Sequence, residues 1–307
     1  MIDEYHNFLK QYSFRDKAIN GVLAHFKEFK SYCFLSATPI PNNLKPAIFN
    51  DITEYMADWN TTDEITVYPY HTNTPYMVAA KFIKTYQAKG CLNVNGIESK
   101  EAYFFINSVT EIKAILKQTQ LTEDDYRIIC ADNPKNRKTL EGYTISSSAD
   151  APKKFNFITS KSFEGVDFHS ETGLCFVVSN VQNRHTLVSI DMDIPQIVGR
   201  IRTKSNPFRN KVVHIFNTKA TDHYTTFEDM KLIVDEEVKA AQERADMLNN
   251  AKLSEAAIKQ QVNEIKKVGV ESYLSYQENK FIINDMVAKL QPVSYTHLRA
   301  HETRHDL

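Results

Sequence analysis

The chain has 307 residues, 42% of them hydrophobic and 24% charged. This suits about two domains at ~150 residues each and excludes a disordered or fibrous composition. A formal net charge of −1 excludes a bulk basic field, so any nucleic-acid contact has to come from a local groove. No stretch approaches the ~18 apolar residues of a membrane span, and no basic-then-apolar leader opens the chain. The four cysteines, Cys33, Cys91, Cys130 and Cys175, form no C-x-x-C pair. Most sit in or beside apolar runs, which reads as reduced thiols in a reducing cytosol.

In chain order, residues 14–30 carry helical periodicity, with Val22, Leu23 and Phe26 on one side. Residues 32–35 are a short apolar run, expected as a buried strand ending at Ser36, and Pro39 and Pro41 stop regular structure. Residues 46–59 are expected to be partly helical and 60–63 to be a linker. Strands are expected at 64–68, 102–107, 127–130, 155–159, 174–178 and 212–216. Helices are expected at 77–89, 110–118 and 194–202. Apolar strands alternating with helices imply a parallel sheet covered on both faces, with ligand sites at the carboxyl ends of its strands. From about residue 222 the pattern becomes amphipathic and charged, with helices expected at 227–248, 253–268 and 271–290. A helical appendage packed on the second domain fits this segment better than a nucleic-acid arm, because its charged faces carry no interleaved aromatics.

Three stretches bear chemistry. Asp3-Glu4-Tyr5-His6 follows Ile2, Ser36-Ala37-Thr38 follows the apolar run at 32–35, and Gln196-Ile197-Val198-Gly199-Arg200-Ile201-Arg202 closes the set. A carboxylate pair suits a magnesium ion that keeps several waters, and an arginine on a rigid element suits a transferring phosphoryl group. Together, in this order and at this spacing, they resemble the acidic box, the SAT motif and the sixth motif of the DExH-box helicases and translocases of helicase superfamily 2. The stretch from Thr159 to Phe168, with Gly165 and Asp167, resembles the fifth motif of that family, and Asn107-Ser108 resembles the fourth.

The resemblance implies two tandem RecA-like α/β lobes of the P-loop NTPase class. The first, incomplete, covers residues 1–62, the second 63–221, and a helical extension 222–292. It implies ATP and Mg²⁺ as cofactors and nucleic acid as partner, DNA in preference to RNA. Asp3 would hold the metal through water, Glu4 would orient or deprotonate the attacking water, and His6 would couple this site to the facing domain. Ser36 and Thr38 would couple hydrolysis to closure, although as hydroxyls ahead of Pro39 they also suit a turn. Gly165 would admit the nucleotide, and Asp167 would accept from its ribose or cap a loop. Asn107, Ser108, Thr159 and Ser160 would meet the nucleic-acid strand. Gln196 and Arg200 match the family position by position. Arg202 does not: it stands one residue before the expected place, which Thr203 fills. On a helix that displacement turns a side chain by about 100°. It leaves Arg202 as a finger, a nucleic-acid contact or a structural contact.

The sequence has no G-x-x-x-x-G-K-[ST] stretch. The nearest, Gly90 to Gly96, has the wrong spacing and lacks the Lys-Ser/Thr pair. The expectation is therefore a fragment of a longer helicase, inactive alone. Residues 294–303 resemble a translated sequencing adaptor of the kind seen on metagenomic reading frames, so 293–307, with His297, His301 and His305, are set aside as an artefactual tail. The alternative reading is a non-catalytic RecA-like module that binds nucleic acid or protein.

Overall fold

The computed structural model describes residues 1–40, 42, 45–57, 64–163, 165–188, 190, 193–218, 227–268 and 272–288. The chain divides into two compact units, one formed by Met1–Ala57 with His223–His297 and the other by Asp58–Asp222. The helical segment expected on the second domain is thus grouped with the N-terminal residues. The linker expected at 60–63 lies outside the described residues, as does the 293–307 tail.

The N-terminal part of the first unit carries α1 (Asn7–Lys10) and α2 (Tyr12–His25), followed by 3₁₀ turns at Phe26–Glu28 and Ala47–Phe49. Its centre is Phe34, whose ring lies 5.2 Å from Phe26, 5.3 Å from Phe49 and 6.1 Å from both Tyr5 and Phe8, mostly edge to face. Such aromatic pairs add ~0.5–1.5 kcal/mol each beyond the area they bury. The run at 32–35 is not the buried strand expected. Only Phe34 pairs, in a parallel bridge with Ile2, while Tyr32, Cys33 and Leu35 are exposed. A parallel strand is buried by neighbours on both edges and layers on both faces, and here the pairing is one bridge deep.

The second unit holds β1 (Thr66–His71), α3 (Pro75–Lys89), β2 (Leu92–Val94), β3 (Ile97–Ser99), β4 (Glu101–Phe105), α4 (Val109–Thr119) and β5 (Tyr126–Ile129). They are followed by α5 (Pro134–Thr139), β6 (Phe155–Ile158), β7 (Gly173–Val178), α6 (Asp193–Val198) and β8 (Lys211–Phe216). Six strands form one parallel sheet in the order β1-β8-β7-β4-β6-β5. One face is covered by α3 and α4 through residues such as Ile83, Ile112 and Leu116. The other packs against Ile194, Ile197, Phe163 and Phe168. Across the first face Phe104 stacks on Phe157 of β6 at 5.5 Å and on Phe176 of β7 at 4.8 Å. These are its register partners on the two flanking strands, which locks three strands together.

The glycines searched for a phosphate loop serve as backbone punctuation. Gly90, at φ 78°, ends α3. Asn95 and Gly96, at φ 52° and 84°, turn the β2–β3 hairpin, for which Asn-Gly is the favoured pair.

After β8 come α7 (Phe227–Asn250), α8 (Glu255–Val268), β9 (Leu274–Gln277) and β10 (Lys280–Ile283). Within the third helix expected at 271–290, residues 274–283 are instead an antiparallel β9–β10 hairpin, with Glu278 and Asn279 at positive φ in its two-residue turn, and residues 285–288 are helical. Tertiary contacts outweigh the local pattern here. Asn249 of α7 donates to the Phe281 carbonyl and accepts its N–H, both at 2.8 Å, so a side-chain amide satisfies the edge of β10 as a further strand would.

Candidate functional site

In the first unit the Ile2–Phe34 bridge sets the geometry. Ile2 N donates to the Cys33 carbonyl and Leu35 N to the Ile2 carbonyl, each at 2.8 Å, and Tyr5 N reaches the Leu35 carbonyl at 3.1 Å. Side by side and parallel, the two segments deliver their following residues to the same end. Glu4 there adopts φ 52°, a left-handed conformation costing a non-glycine residue of order 1 kcal/mol. It turns the chain into α1 and leaves His6 fully buried.

Three oxygens surround His6 Nδ1: Ser36 Oγ at 2.7 Å, Glu4 Oε2 at 3.2 Å and Thr38 Oγ1 at 3.4 Å. Ser36 Oγ donates to Glu4 Oε2 at 3.3 Å and accepts from Thr38 N at 3.0 Å. With that single hydroxyl proton committed to Glu4, the set closes when Nδ1 carries a proton and donates to Ser36. The structure therefore brings together Glu4, His6, Ser36 and Thr38. Glu4 keeps about a third of its side chain exposed (32%), enough for water to reach the carboxylate.

Asp3 stands beside them, exposed, with Oδ1 accepting from Glu4 N at 3.0 Å. Two carboxylates open to solvent suit a magnesium ion held largely by water rather than an all-protein cage. Among the described residues no group of three or more His, Cys, Asp or Glu is arranged to hold a metal.

In the second unit the chain runs from β4 through α4 on one face of the sheet, and from β6 through Phe163 and Phe168 on the other. β4 and β6 are neighbours whose connections leave in opposite directions, the kind of switch point at whose carboxyl ends open α/β sheets bind ligands. Asn107 and Ser160 meet there. Ser160 donates both its N–H, at 3.2 Å, and its hydroxyl, at 2.7 Å, to Asn107 Oδ1. Asn107 Nδ2 donates to the His185 carbonyl at 2.6 Å. Thr159 is buried and turned inward, its N–H and hydroxyl both directed at the Ile129 carbonyl. Ser108 caps α4 by accepting from Glu111 N at 3.4 Å.

The stretch at 196–202 is not helical throughout. The helix expected over 194–202 is α6, which ends at Val198. A tight turn follows, with Gly199 N bonded to the Pro195 carbonyl and Arg200 N to the Ile197 carbonyl. The chain then straightens, and Ile201 forms a parallel bridge with Phe168. Phe168 N donates to the Arg200 carbonyl at 2.8 Å and Arg202 N to the Phe168 carbonyl at 2.9 Å, joining the stretches at 159–168 and 196–202 through their main chains.

The two arginines differ. Arg200 is buried against its own helix: Nε reaches the Gln196 carbonyl at 2.8 Å and NH2 reaches Gln196 Oε1 at 3.2 Å. Its NH1 lies 3.5 Å from the Val166 carbonyl and 3.9 Å from Asp167. Arg202 is half exposed and donates from Nε to Asp167 Oδ1 at 2.8 Å. The rotation argued for a helical Arg202 therefore does not apply, because its direction is set by the bridge and by Asp167. Gly165, at φ 73°, lies at the turn ahead of Val166 and Asp167.

Arg127, on β5, belongs to none of the sequence motifs. It is buried, with Nε donating to Asn156 Oδ1 at 2.9 Å, NH1 to the Asp150 carbonyl, and the guanidinium 5.4 Å from the Phe168 ring. Burial lowers its pKa from the ordinary arginine value. The loop at 180–186, with Asn180, Asn183 and Asn217 around it, lies outside those motifs as well. Turn-forming asparagines directly after the apolar runs of β7 and β8 were the available signal.

No protein-family model matches the chain, and no curated protein is significantly similar to it. Among the described residues no helix is long and apolar enough to cross a membrane.

Proposed function

We propose that the chain is part of an ATP-driven helicase or translocase of superfamily 2, with RecA-like architecture in both units and a helical extension. The observation that carries the reading is the His6–Ser36 contact. Residues resembling the acidic box and the SAT motif, about thirty positions apart, converge on one buried imidazole beside a solvent-reachable carboxylate. In this reading Glu4 orients and deprotonates the water that attacks the terminal phosphate, and Asp3 holds magnesium through water. Arg202 and Arg200 supply the positive charge that phosphoryl transfer requires, Gln196 holds Arg200 through its amide oxygen, and Asp167 with Gly165 serves the nucleotide. The carboxyl edge around Asn107 and Ser160 serves the nucleic-acid strand, DNA in preference to RNA.

The sequence has no G-x-x-x-x-G-K-[ST] stretch, so the reading expects the chain to bind single-stranded nucleic acid without turning ATP over by itself. In a polypeptide where a segment bearing G-x-x-x-x-G-K-[ST] precedes these residues, ATP hydrolysis stimulated by nucleic acid is expected. The Glu4→Gln variant of that polypeptide should lose it. Equal turnover in the variant would refute the assignment.

One observation favours the second reading, a non-catalytic RecA-like binding module. Three nitrogens of Arg200 already face groups of its own unit. That reading is preferred if Glu4→Gln and Arg200→Gln both leave every nucleotide-dependent property unchanged.

A further inference from the structure

The loop at 180–186 is held from several sides. Val181 N donates to Asn217 Oδ1 at 2.8 Å, and Asn217 Nδ2 donates to Asn180 Oδ1 at 3.0 Å. Asn180 N and Gln182 N are satisfied by Thr186 Oγ1 and Asn180 Oδ1, and Asn183 Nδ2 donates to the Tyr76 hydroxyl at 3.2 Å. Asn107 then ties the loop to the end of β6, with one amide end on the His185 carbonyl and the other on Ser160. The loop is built from polar side chains, yet Gln182 and His185 remain exposed. His185 faces Glu111 in the first turn of α4, a carboxyl whose pKa is raised by burial and lowered in turn by the imidazole.

The same bonds limit what Ser160 and Asn107 can do. Both protons that Ser160 could offer a phosphate already point at Asn107, and both lone-pair positions of Asn107 Oδ1 are taken. Among the described residues, the side chains on this part of the carboxyl edge that stay exposed include Gln182 and His185 of the loop, the latter with Glu111 nearby. We propose that Gln182 and His185 form a nucleic-acid contact that the sequence motifs do not mark, and that Asn107 is a positioning residue acting through this loop rather than on the strand. The inference rests on the nucleic-acid reading of this edge.

A double-mutant cycle tests it, using the whole chain and a fluorescein-labelled oligodeoxythymidylate of about 20 nucleotides, longer than a typical single-strand site. The readout is fluorescence anisotropy at fixed salt. His185→Ala, which alters an exposed ring and leaves the carbonyl that Asn107 bonds, is expected to weaken binding about tenfold, as loss of one stacking side chain does. Asn107→Ala is expected to weaken it by a similar factor. The double variant should then be about tenfold weaker rather than about a hundredfold, because residues acting through one another are not additive. Wild-type binding of His185→Ala overturns the loop contact, and still does so if Asn107→Ala fails to fold. Full additivity overturns the positioning role and makes Asn107 a separate contact. Failure of the unsubstituted chain to bind the oligonucleotide removes the nucleic-acid reading itself, and the inference with it.

Discussion

Asp167 accepts the Nε–H of Arg202 at 2.8 Å, across 35 positions of sequence. The pair flanks the Phe168–Ile201 bridge, so main-chain hydrogen bonds and the ion pair fix the same junction. Main-chain pairing decides where Arg202 leaves the backbone, and the carboxylate decides where the guanidinium points.

Both partners are about half exposed, so their attraction is screened and exposed pairs of this kind contribute ~0–1 kcal/mol. Asp167→Asn and Arg202→Gln are each expected to lower stability to urea by less than about 1 kcal/mol, with a coupling of a few tenths in the double variant. A coupling above about 2 kcal/mol would mean that the pair is a stability element rather than an orienting one.

Phe104 is fully buried and stacks on a phenylalanine of each neighbouring strand. Truncation to Ala removes both contacts and leaves a cavity that neighbouring side chains fill only in part. Phe104→Ala is expected to cost ~3–5 kcal/mol in urea unfolding of the sheet unit, and a loss under about 1 kcal/mol would contradict this packing.

Ser108 resembles a nucleic-acid residue in sequence but caps α4 in the structure. Ser108→Ala is expected to lower stability by ~1 kcal/mol while leaving oligonucleotide affinity within twofold of the parent. A large affinity loss with unchanged stability would restore the strand-contact role.

High pH should unfold the sheet unit. Burial pushes the Cys175 thiol up from an ordinary value of 9.0 to about 12. Burial raises the phenols of Tyr86 and Tyr103 as well, the latter helped by the Glu101 carboxylate. Groups raised on folding contribute fully below their unfolded pKa, and that contribution is lost as pH rises, because the unfolded state releases the proton first. The urea midpoint should therefore stay level to about pH 9 and then fall steadily toward pH 12, and a midpoint that rose over that range would contradict the sign.

Cys33 is exposed, whereas Cys130 and Cys175 are buried with raised pKa values. A thiol reagent applied to the native chain should modify Cys33 rapidly and leave Cys130 and Cys175 protected until denaturant is added, read by mass spectrometry of the digested protein. Equal labelling of all sites in the native state would argue against the closed sheet core.

By itself the sequence determined the α/β class and the places of the main sheet strands, because apolar runs such as 102–107 and 174–178 need both faces covered whatever their neighbours are. It also marked Glu4, His6, Ser36 and Thr38, through the resemblance of their stretches to the acidic box and the SAT motif. The tertiary structure alone decided which partners those residues take. Residues 274–283 became a hairpin because Asn249 satisfies its edge, and the end of α6 was set by pairing with Phe168 rather than by local propensity. Arg200 turned inward and Arg202 outward for the same reason. Periodicity records which side of an element is buried, but a hydrogen bond depends on which distant strand lies alongside, and no local pattern carries that.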